Sequence, residues 1–392
     1  MIHNHPEVVA VQPGGRCLSP NAALIGVPGS RNRLDTPALL VDLGALTRNI
    51  AAMAEFAAAR YVQLRPHVKT HKSVEIAVRQ IAAGAIGVSC ATLGEAEIMA
   101  DAGIPSVLIT SPIVTVEKIA RLVSLVRRTS PGEVLVVVDH PRNVADLAEA
   151  VAGAGLSLDV MIDYAAGFHR TGTADAVAVV DLARQIKRYP FLHLRGLQAY
   201  AGNIQHLVNR EQRSQAAAAV RVSTAAVIAA AARCGFVFEI VTGAGTGTCD
   251  VDSRECLFTE LQTGSYVFLD AEYMPVLASQ NGALPFEVSL FVQTAVVSVN
   301  HPDWVTVDGG LKCFATDTGL PIVARGTDPA GCYAFCGDEH GLLFPAGARP
   351  ELGARIEFVT SHCDPTVNLH NVYHVVDGEM LVDIWPVDAR GK

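Results

Sequence analysis

Between Leu39 and about Asp270 the chain alternates short apolar runs with longer stretches of helical periodicity. The runs cover 62–69, 86–90, 107–110, 134–138, 158–163, 194–200, 238–242 and 261–268, each closing on polar residues or glycine. Between them Leu46, Ile50, Met53 and Phe56 stripe one face of a helix, and Ile119, Leu122, Val123 and Val126 stripe another. Val144, Leu147, Ala148 and Val151 form a third stripe. Ser73 and Thr115 stand at expected helix starts, and Gly103 and Gly235 just past expected helix ends. Eight strand–helix alternations suit a (β/α)8 barrel of the TIM type better than an open doubly wound sheet. After Asp270 the pattern changes. Segments 289–300, 304–308, 333–336, 355–360 and 372–385 read as strands, the last folded at Asp377–Gly378, and no helical periodicity appears. The expected organisation is α/β: an arm at 1–38 joining the second domain, a barrel at 39–272, and an all-β domain at 273–392.

Composition narrows the function classes. The 392 residues are 50% hydrophobic and 18% charged, with a mean hydropathy of +0.30, which excludes a disordered chain. A net charge of −9 without a basic run argues against nucleic acid as a partner. No uninterrupted apolar run reaches the roughly 18 residues a membrane span needs. The start, with His3, His5 and Pro6, lacks the basic-then-apolar order of a signal peptide. Nine cysteines lie scattered from Cys17 to Cys363, and Cys332 and Cys336 have no second pair to complete a zinc site. They read as reduced thiols in a cytoplasmic protein. Only six of the 30 basic residues are lysines, and Lys69 and Lys72 are two of them.

That lysine pair lies in Arg65-Pro-His-Val-Lys-Thr-His71, where strand periodicity puts Arg65, His67, Lys69 and His71 on one face. A basic row at a strand end is costly unless anions lie near it. One reading is a solvated basic edge. The other is an anionic cofactor beside a desolvated, nucleophilic lysine, which points to a Schiff base with pyridoxal phosphate. The phosphate then needs a cradle. Thr242-Gly-Ala-Gly-Thr-Gly-Thr248 follows the seventh apolar run, where barrels commonly bind phosphate, with Thr246 adding a hydroxyl and Gly264-Ser265 supplementing it. Arg170 follows the fifth run and supplies a cation for the cofactor's phenolic oxygen. In the β region, His362 and Asp364 stand two apart in Thr360-Ser-His-Cys-Asp-Pro-Thr366. Read as a strand end, they project together as two ligands for Mn²⁺, Mg²⁺ or Zn²⁺, leaving positions open. Asp338-Glu-His340 is a further polar cluster there, either a turn or part of a site.

Taken in order, these segments carry a resemblance. Arg65–Lys72, Gly196-Leu-Gln-Ala-Tyr200 with Gln205-His206, the glycine loop, Glu260-Leu-Gln-Thr-Gly-Ser-Tyr266, Asp338-Glu-His-Gly341, His362-Cys-Asp-Pro-Thr366 and Trp385-Pro-Val-Asp-Ala-Arg-Gly391 are similar to the D-threonine aldolase and 3-hydroxy-D-aspartate aldolase group, which has the alanine racemase (type III) fold. The resemblance runs from about Asp35 to the C-terminus. It implies that Lys69 holds pyridoxal phosphate as a Schiff base, with His67, Arg170 and Tyr200 against the cofactor. Thr242, Gly243, Gly245, Thr246 and Gly247, supplemented by Gly264, Ser265 and Tyr266, take the phosphate. It further implies that His362 and Asp364 bind the metal, Mn²⁺ foremost, and that His206 or a metal-bound hydroxide removes the β-hydroxyl proton. The substrate would be a β-hydroxy-D-amino acid cleaved to glycine and an aldehyde, and the assembly a homodimer. Related D-serine dehydratases carry His-x-Cys in place of His-x-Asp. The alternatives are such a dehydratase, a racemase and a non-catalytic carrier of the cofactor. Three departures from the family pattern, Ala91-Thr92, Ala201 and about two extra residues between Asp163 and Arg170, touch the expected pocket. Ala201 suggests room for bulky substrates such as D-phenylserine.

Overall fold

The computed structural model describes residues 19–279 and 285–392, so the first 18 residues of the expected arm lie outside the described residues. Eight parallel strands form one sheet in the order Gln63–Leu64, Glu260–Leu261, Ile240–Gly243, Leu192–Ala199, Leu158–Asp163, Val134–Val138, Val107–Ile109 and Val88–Cys90. Its two edges are joined by backbone bonds from Ile86 N–H to Leu64 O (2.9 Å) and Ser89 N–H to Pro66 O (2.8 Å), so the sheet curls into a ring. Period-two alternation sorts the side chains. Val107, Ile109, Val134, Val136 and Val138 pack outward on the helices, while Leu108, Leu135, Val137 and Met161 pack in a small cluster on the inner face.

The strands flanking the seam are short for a physical reason. Arg65 and Glu260, on the face opposite Leu64 and Leu261, form a buried two-pronged ion pair (2.8 and 2.9 Å), and Arg65 also donates to Ser106 O (2.5 Å). Beyond it the chain turns into a 3-10 turn at Val68–Thr70, and beyond Leu261 into another at Ser265–Val267. The expected continuous strands at 62–69 and 261–268 are therefore each a two-residue strand followed by a turn. The four-residue basic row breaks at that turn: Arg65 meets Glu260, His67 meets Thr110, Lys69 enters a cavity and His71 is buried.

The second domain is a nine-stranded, mostly antiparallel sheet. Its centre is Leu290–Ser298, paired on one side with Ala38–Asp42 and, further along, Val305–Val307, and on the other with Arg355–Val359. Ala38–Asp42 begins at the last residue of the stretch read as the arm and runs into the stretch read as barrel, yet it pairs parallel to Val372–Asp377 and belongs to this sheet. The hairpin at Asp377–Gly378 forms as expected, between Val372–Asp377 and Met380–Pro386. Two short helices, Tyr273–Ala278 and Cys363–Leu369, break the expectation of a helix-free region. Each is about two turns or less, too short to display a periodic stripe. One barrel helix, Arg210–Arg233, is long and apolar enough by length and composition to cross a membrane. Its Arg213 is fully buried, bonded to Val276 O (3.4 Å) and Ser279 (3.1 Å), and it packs in the barrel wall.

Candidate active site

Lys69 opens onto a cavity of about 310 Å³ at the carboxyl ends of the barrel strands, lined among others by His67, Thr110, Asp163, Arg170, Gln198, Tyr200 and Gln262. The turn bearing it is clamped from both sides. His67 N–H donates to Thr263 O (3.0 Å), Tyr373 Oη from the β domain to His71 O (2.5 Å), and Ala389 N–H to Lys72 O (3.0 Å). Lys72, three residues on, has a left-handed backbone (φ 51°) that turns its side chain away from the cavity. Its ammonium is buried against Glu95 (2.6 Å), whose second oxygen accepts Ala91 N–H (2.7 Å). The two neighbouring lysines are thereby distinguished: Lys72 is a buried structural cation, and Lys69, its side chain 40% exposed, faces the cavity.

The Lys69 ammonium donates to the Asp364 carboxylate, which comes from the other domain. Burial works against the charged ammonium, but Asp364, with a smaller contribution from Tyr200, outweighs it and holds Lys69 above its ordinary range. Burial would likewise raise Asp364, and the Lys69 charge reverses this, keeping the carboxyl well below the usual range. His67 is neutral: burial, and then the Lys69 charge, lower it strongly, and its Nε2 lies 3.2 Å from the Thr110 hydroxyl. Burial raises the Tyr200 phenol while Lys69 and Arg170 oppose it, placing those two cations beside the phenol.

Polar ends of strands floor the cavity. Gln198 donates to Asp163 (2.9 Å) and to Thr110 O (3.2 Å), and Gln262 donates to Gln198 (3.1 Å) and Thr242 (3.1 Å). The sequence reading did not single out Gln198, Gln262 or Asp163 as site residues. The available signal was a polar residue closing an apolar strand at the end where barrels carry their chemistry.

The residues fit pyridoxal phosphate. Lys69 is the one lysine lining the cavity, with Tyr200 and Arg170 beside it. A side chain at Gly245 would stand 2.5 Å from Gln205 Oε1 and 3.1 Å from Tyr200 Oη, and one at Gly264 would stand 2.8 Å from Thr70 Oγ1. Glycine therefore leaves open the close backbone approach a phosphate cradle needs. The remaining loop residues serve the loop's own shape. Ala244 is left-handed (φ 56°), Gly243 packs on Phe258, and Gly247 N–H donates to Gln205 Oε1 (3.1 Å). Thr246 Oγ1 accepts Tyr266 N–H (3.1 Å), and the Tyr266 hydroxyl accepts from Gln80 (3.0 Å), so that side chain points into the core. Ser265 is buried beside it, and Thr263 Oγ1 is buried without a partner among the described residues.

The metal pair is not on a strand. His362 is the residue before helix Cys363–Leu369, and Asp364 lies in its first turn. Helical dihedrals, rather than strand alternation, bring the carboxylate round. His362 Nδ1 is 2.6 Å from Asp317 Oδ2, which leaves Nε2 as the available ligand atom, the usual arrangement of a metal-binding histidine. Among the described residues no group of three or more His, Cys, Asp or Glu clusters tightly enough for a metal. The donor chemistry of the pair, an imidazole nitrogen and a carboxylate, is of the kind that holds a divalent ion together with water and substrate. His206 does not line the Lys69 cavity; its Nδ1 lies 2.7 Å from Glu272, and its ring meets Tyr273 edge-on. Asp338 borders a separate cavity of about 370 Å³ in the β domain, with Lys312 and His370.

The departures also find places. Thr92 caps its helix by accepting Glu95 N–H (3.2 Å). Ala201 does not enlarge the pocket: it is 4% exposed, and a side chain on Gly167 would fall 2.6 Å from its Cα. The longer 163–170 loop lies over it instead, and presents Phe168, 60% exposed, at the cavity.

Comparison with known proteins agrees with this architecture. Residues 41–272 match the family described as alanine racemase, N-terminal domain, and residues 289–376 match the putative serine dehydratase domain. The chain is 38% identical to a D-threonine aldolase of Arthrobacter sp, covering 92% of this chain and 93% of that one. It is 35% identical to a 3-hydroxy-D-aspartate aldolase of Paracoccus denitrificans, covering 93% and 95%. The crystal structure of D-threonine aldolase from Filomicrobium marinum superposes with a TM-score of 0.88 at 39% identity, covering 92% and 97%. The chain belongs to the alanine racemase-like family, within its group of D-threonine and 3-hydroxy-D-aspartate aldolases, which are pyridoxal phosphate-dependent lyases.

Proposed function

We propose that the protein cleaves β-hydroxy-D-amino acids to glycine and an aldehyde, using pyridoxal phosphate and a divalent ion, Mn²⁺ foremost, with Mg²⁺ or Zn²⁺ as alternatives. The observation that carries this reading is the meeting of Lys69 and Asp364 across the domain boundary, which puts the cofactor lysine and the metal pair in one site. When bound, the cofactor supplies an electron sink for the carbanion at Cα, and the ion supplies Lewis acidity at the β-hydroxyl.

The chain's own residues do the rest. Lys69 holds the cofactor, Arg170 and Tyr200 orient it, and His67, neutral, lies beside the lysine. The glycine loop with Gly264 and Ser265 receives the phosphate through backbone groups, and Tyr266, whose N–H is bonded to Thr246, braces that cradle. His362 and Asp364 hold the ion. His206, which stands outside the lining of the Lys69 cavity and whose role is carried over from the family resemblance, is the proposed acceptor of the β-hydroxyl proton, and as the Cα–Cβ bond breaks the oxygen becomes the aldehyde carbonyl. Protonation at Cα then gives glycine. The eight described cysteines are unpaired, which supports a reducing, cytoplasmic setting. A homodimer is proposed from family membership.

The second reading, a dehydratase, is supported by the match of the β domain to a dehydratase family. Asp364 where the dehydratases carry cysteine favours the aldolase. Incubation with a panel of D-β-hydroxy amino acids, with and without Mn²⁺, separates the two. Glycine plus aldehyde is expected; a 2-oxo acid plus ammonia would establish the dehydratase.

A further inference from the structure

The proposed base has a partner to which the reaction scheme gives no role. His206 follows the 3-10 turn Gly202–Ile204, and its Nδ1 is 2.7 Å from Oε1 of Glu272, the residue preceding helix Tyr273–Ala278. The other carboxylate oxygen, Oε2, is buried without a hydrogen-bond partner among the described residues, so the contact to His206 is the carboxylate's main polar interaction. Tyr273 sets its ring edge-on to the imidazole at 4.4 Å, which fixes the ring's plane. An ionised carboxylate only accepts, so a neutral His206 must carry its proton on Nδ1 and keep the lone pair on Nε2. Free histidine side chains favour the opposite tautomer, so the contact reverses an intrinsic preference.

Glu272 is in turn held in the frame of the metal pair. Asp270, fully buried, accepts Tyr273 N–H (3.0 Å) on one oxygen and Cys363 N–H (2.9 Å) on the other. Ala271 N–H donates to Thr360 O (3.0 Å). One short segment thus ties the helix carrying Asp364 to the residue that holds His206.

We propose that Glu272 is a positioning residue for His206, fixing Nε2 as the acceptor of the β-hydroxyl proton. The O–H bond breaks as the Nε2–H bond forms, the oxygen's electron pair becomes the carbonyl π bond as the Cα–Cβ bond breaks and leaves its pair on Cα, and the imidazolium is stabilised by the Glu272 carboxylate. This rests on the assignment of His206 as base. The test uses the Mn²⁺-loaded holoenzyme and Glu272→Gln, whose carboxamide can donate to Nδ1 and favour the wrong tautomer. A fall in kcat of about 100-fold or more is expected, with KM changed by less than about threefold and the cofactor's visible spectrum unchanged. In the diamagnetic, Mg²⁺-loaded enzyme labelled with ¹⁵N-histidine, the ring signal missing from His206→Gln should report Nδ1–H in the wild type and Nε2–H in Glu272→Gln. A kcat within about twofold of wild type, or an unchanged tautomer, overturns the proposal. Should Glu272→Gln lose the cofactor spectrum, the wild-type tautomer decides alone: Nδ1–H supports the proposal and Nε2–H overturns it. Wild-type activity in His206→Gln would instead overturn the base assignment. An inactive His206→Gln beside a fully active Glu272→Gln would remove only the role of Glu272.

Discussion

Lys69 and Asp364 meet in one ion pair, yet they come from differently built regions. The Lys69 turn is rigid on every side: barrel strands hold it from behind, Tyr373 and Ala389 from the β domain hold it from the front, and the Lys72–Glu95 pair lies beneath it. Asp364 stands in the first turn of a seven-residue helix, and His362 before it leans on Asp317, which is 49% exposed. The barrel half is a walled cavity in which most polar atoms already have partners. The β-domain half is the start of a short helix, with His362 on the half-exposed Asp317 and Asp364 turned to Lys69. The difference suits a cofactor that must stay in place and an ion that must admit water and substrate.

The largest expected effect separates the two lysines of the barrel half. Lys69→Ala should lower kcat by about 10⁴-fold or more and abolish borohydride-trapped cofactor, because no other lysine lines the cavity. Lys72→Met should leave trapping intact but destabilise the fold by about 3–5 kcal/mol, since Glu95 would remain buried and unpaired. Denaturant melts of Lys72→Met against wild type check this; an unchanged midpoint would remove Lys72 from its structural role.

A smaller effect sharpens the β-domain half. Asp317→Ala should weaken Mn²⁺ binding by about 10- to 100-fold, measured by titration calorimetry, while the cofactor spectrum stays unchanged. Unaltered affinity would mean that Asp317 does not support His362.

The smallest effect is a pH dependence of stability. Burial lowers His71 and His370 to about 4, so both are neutral in the folded protein at pH 5, whereas the unfolded chain protonates them near 6.5. With folded values depressed, their contribution is fully present above pH 6.5 and is lost as pH falls from 6.5 towards 4. His370→Gln should reduce the slope of unfolding free energy in that window by up to about 1.4 kcal/mol per pH unit. A slope equal to wild type would show that His370 titrates normally.

The barrel was legible because its central strands are apolar on both faces: 134–138 and 158–163 lie where the pattern put them. The seam was not. Arg65, Pro66 and His67 continue a strand-like alternation, but the Arg65–Glu260 pair and the turn at Val68 are long-range facts that local periodicity does not encode. Lys69 and Arg170 were readable from position and chemistry and Tyr200 from the family resemblance, and the cavity brings them together. Strand spacing was the ground for pairing His362 with Asp364, but the two stand at the start of a helix. Asp317 and Glu272 stayed hidden because each acts on a histidine far away in the chain. Ala201 misled for a related reason: whether a small residue opens a pocket depends on what packs over it, here Gly167.

The most direct test follows cofactor capture and cleavage together in wild type and Asp364→Asn. Each enzyme is given a D-β-hydroxy amino acid and Mn²⁺ and glycine is measured; in a parallel substrate-free sample the borohydride-reduced adduct is located by mass spectrometry. The expected result is an adduct on Lys69 in both proteins and glycine only from the wild type. An adduct on Lys72, or glycine from Asp364→Asn at the wild-type rate, would contradict a site built from one residue of each domain.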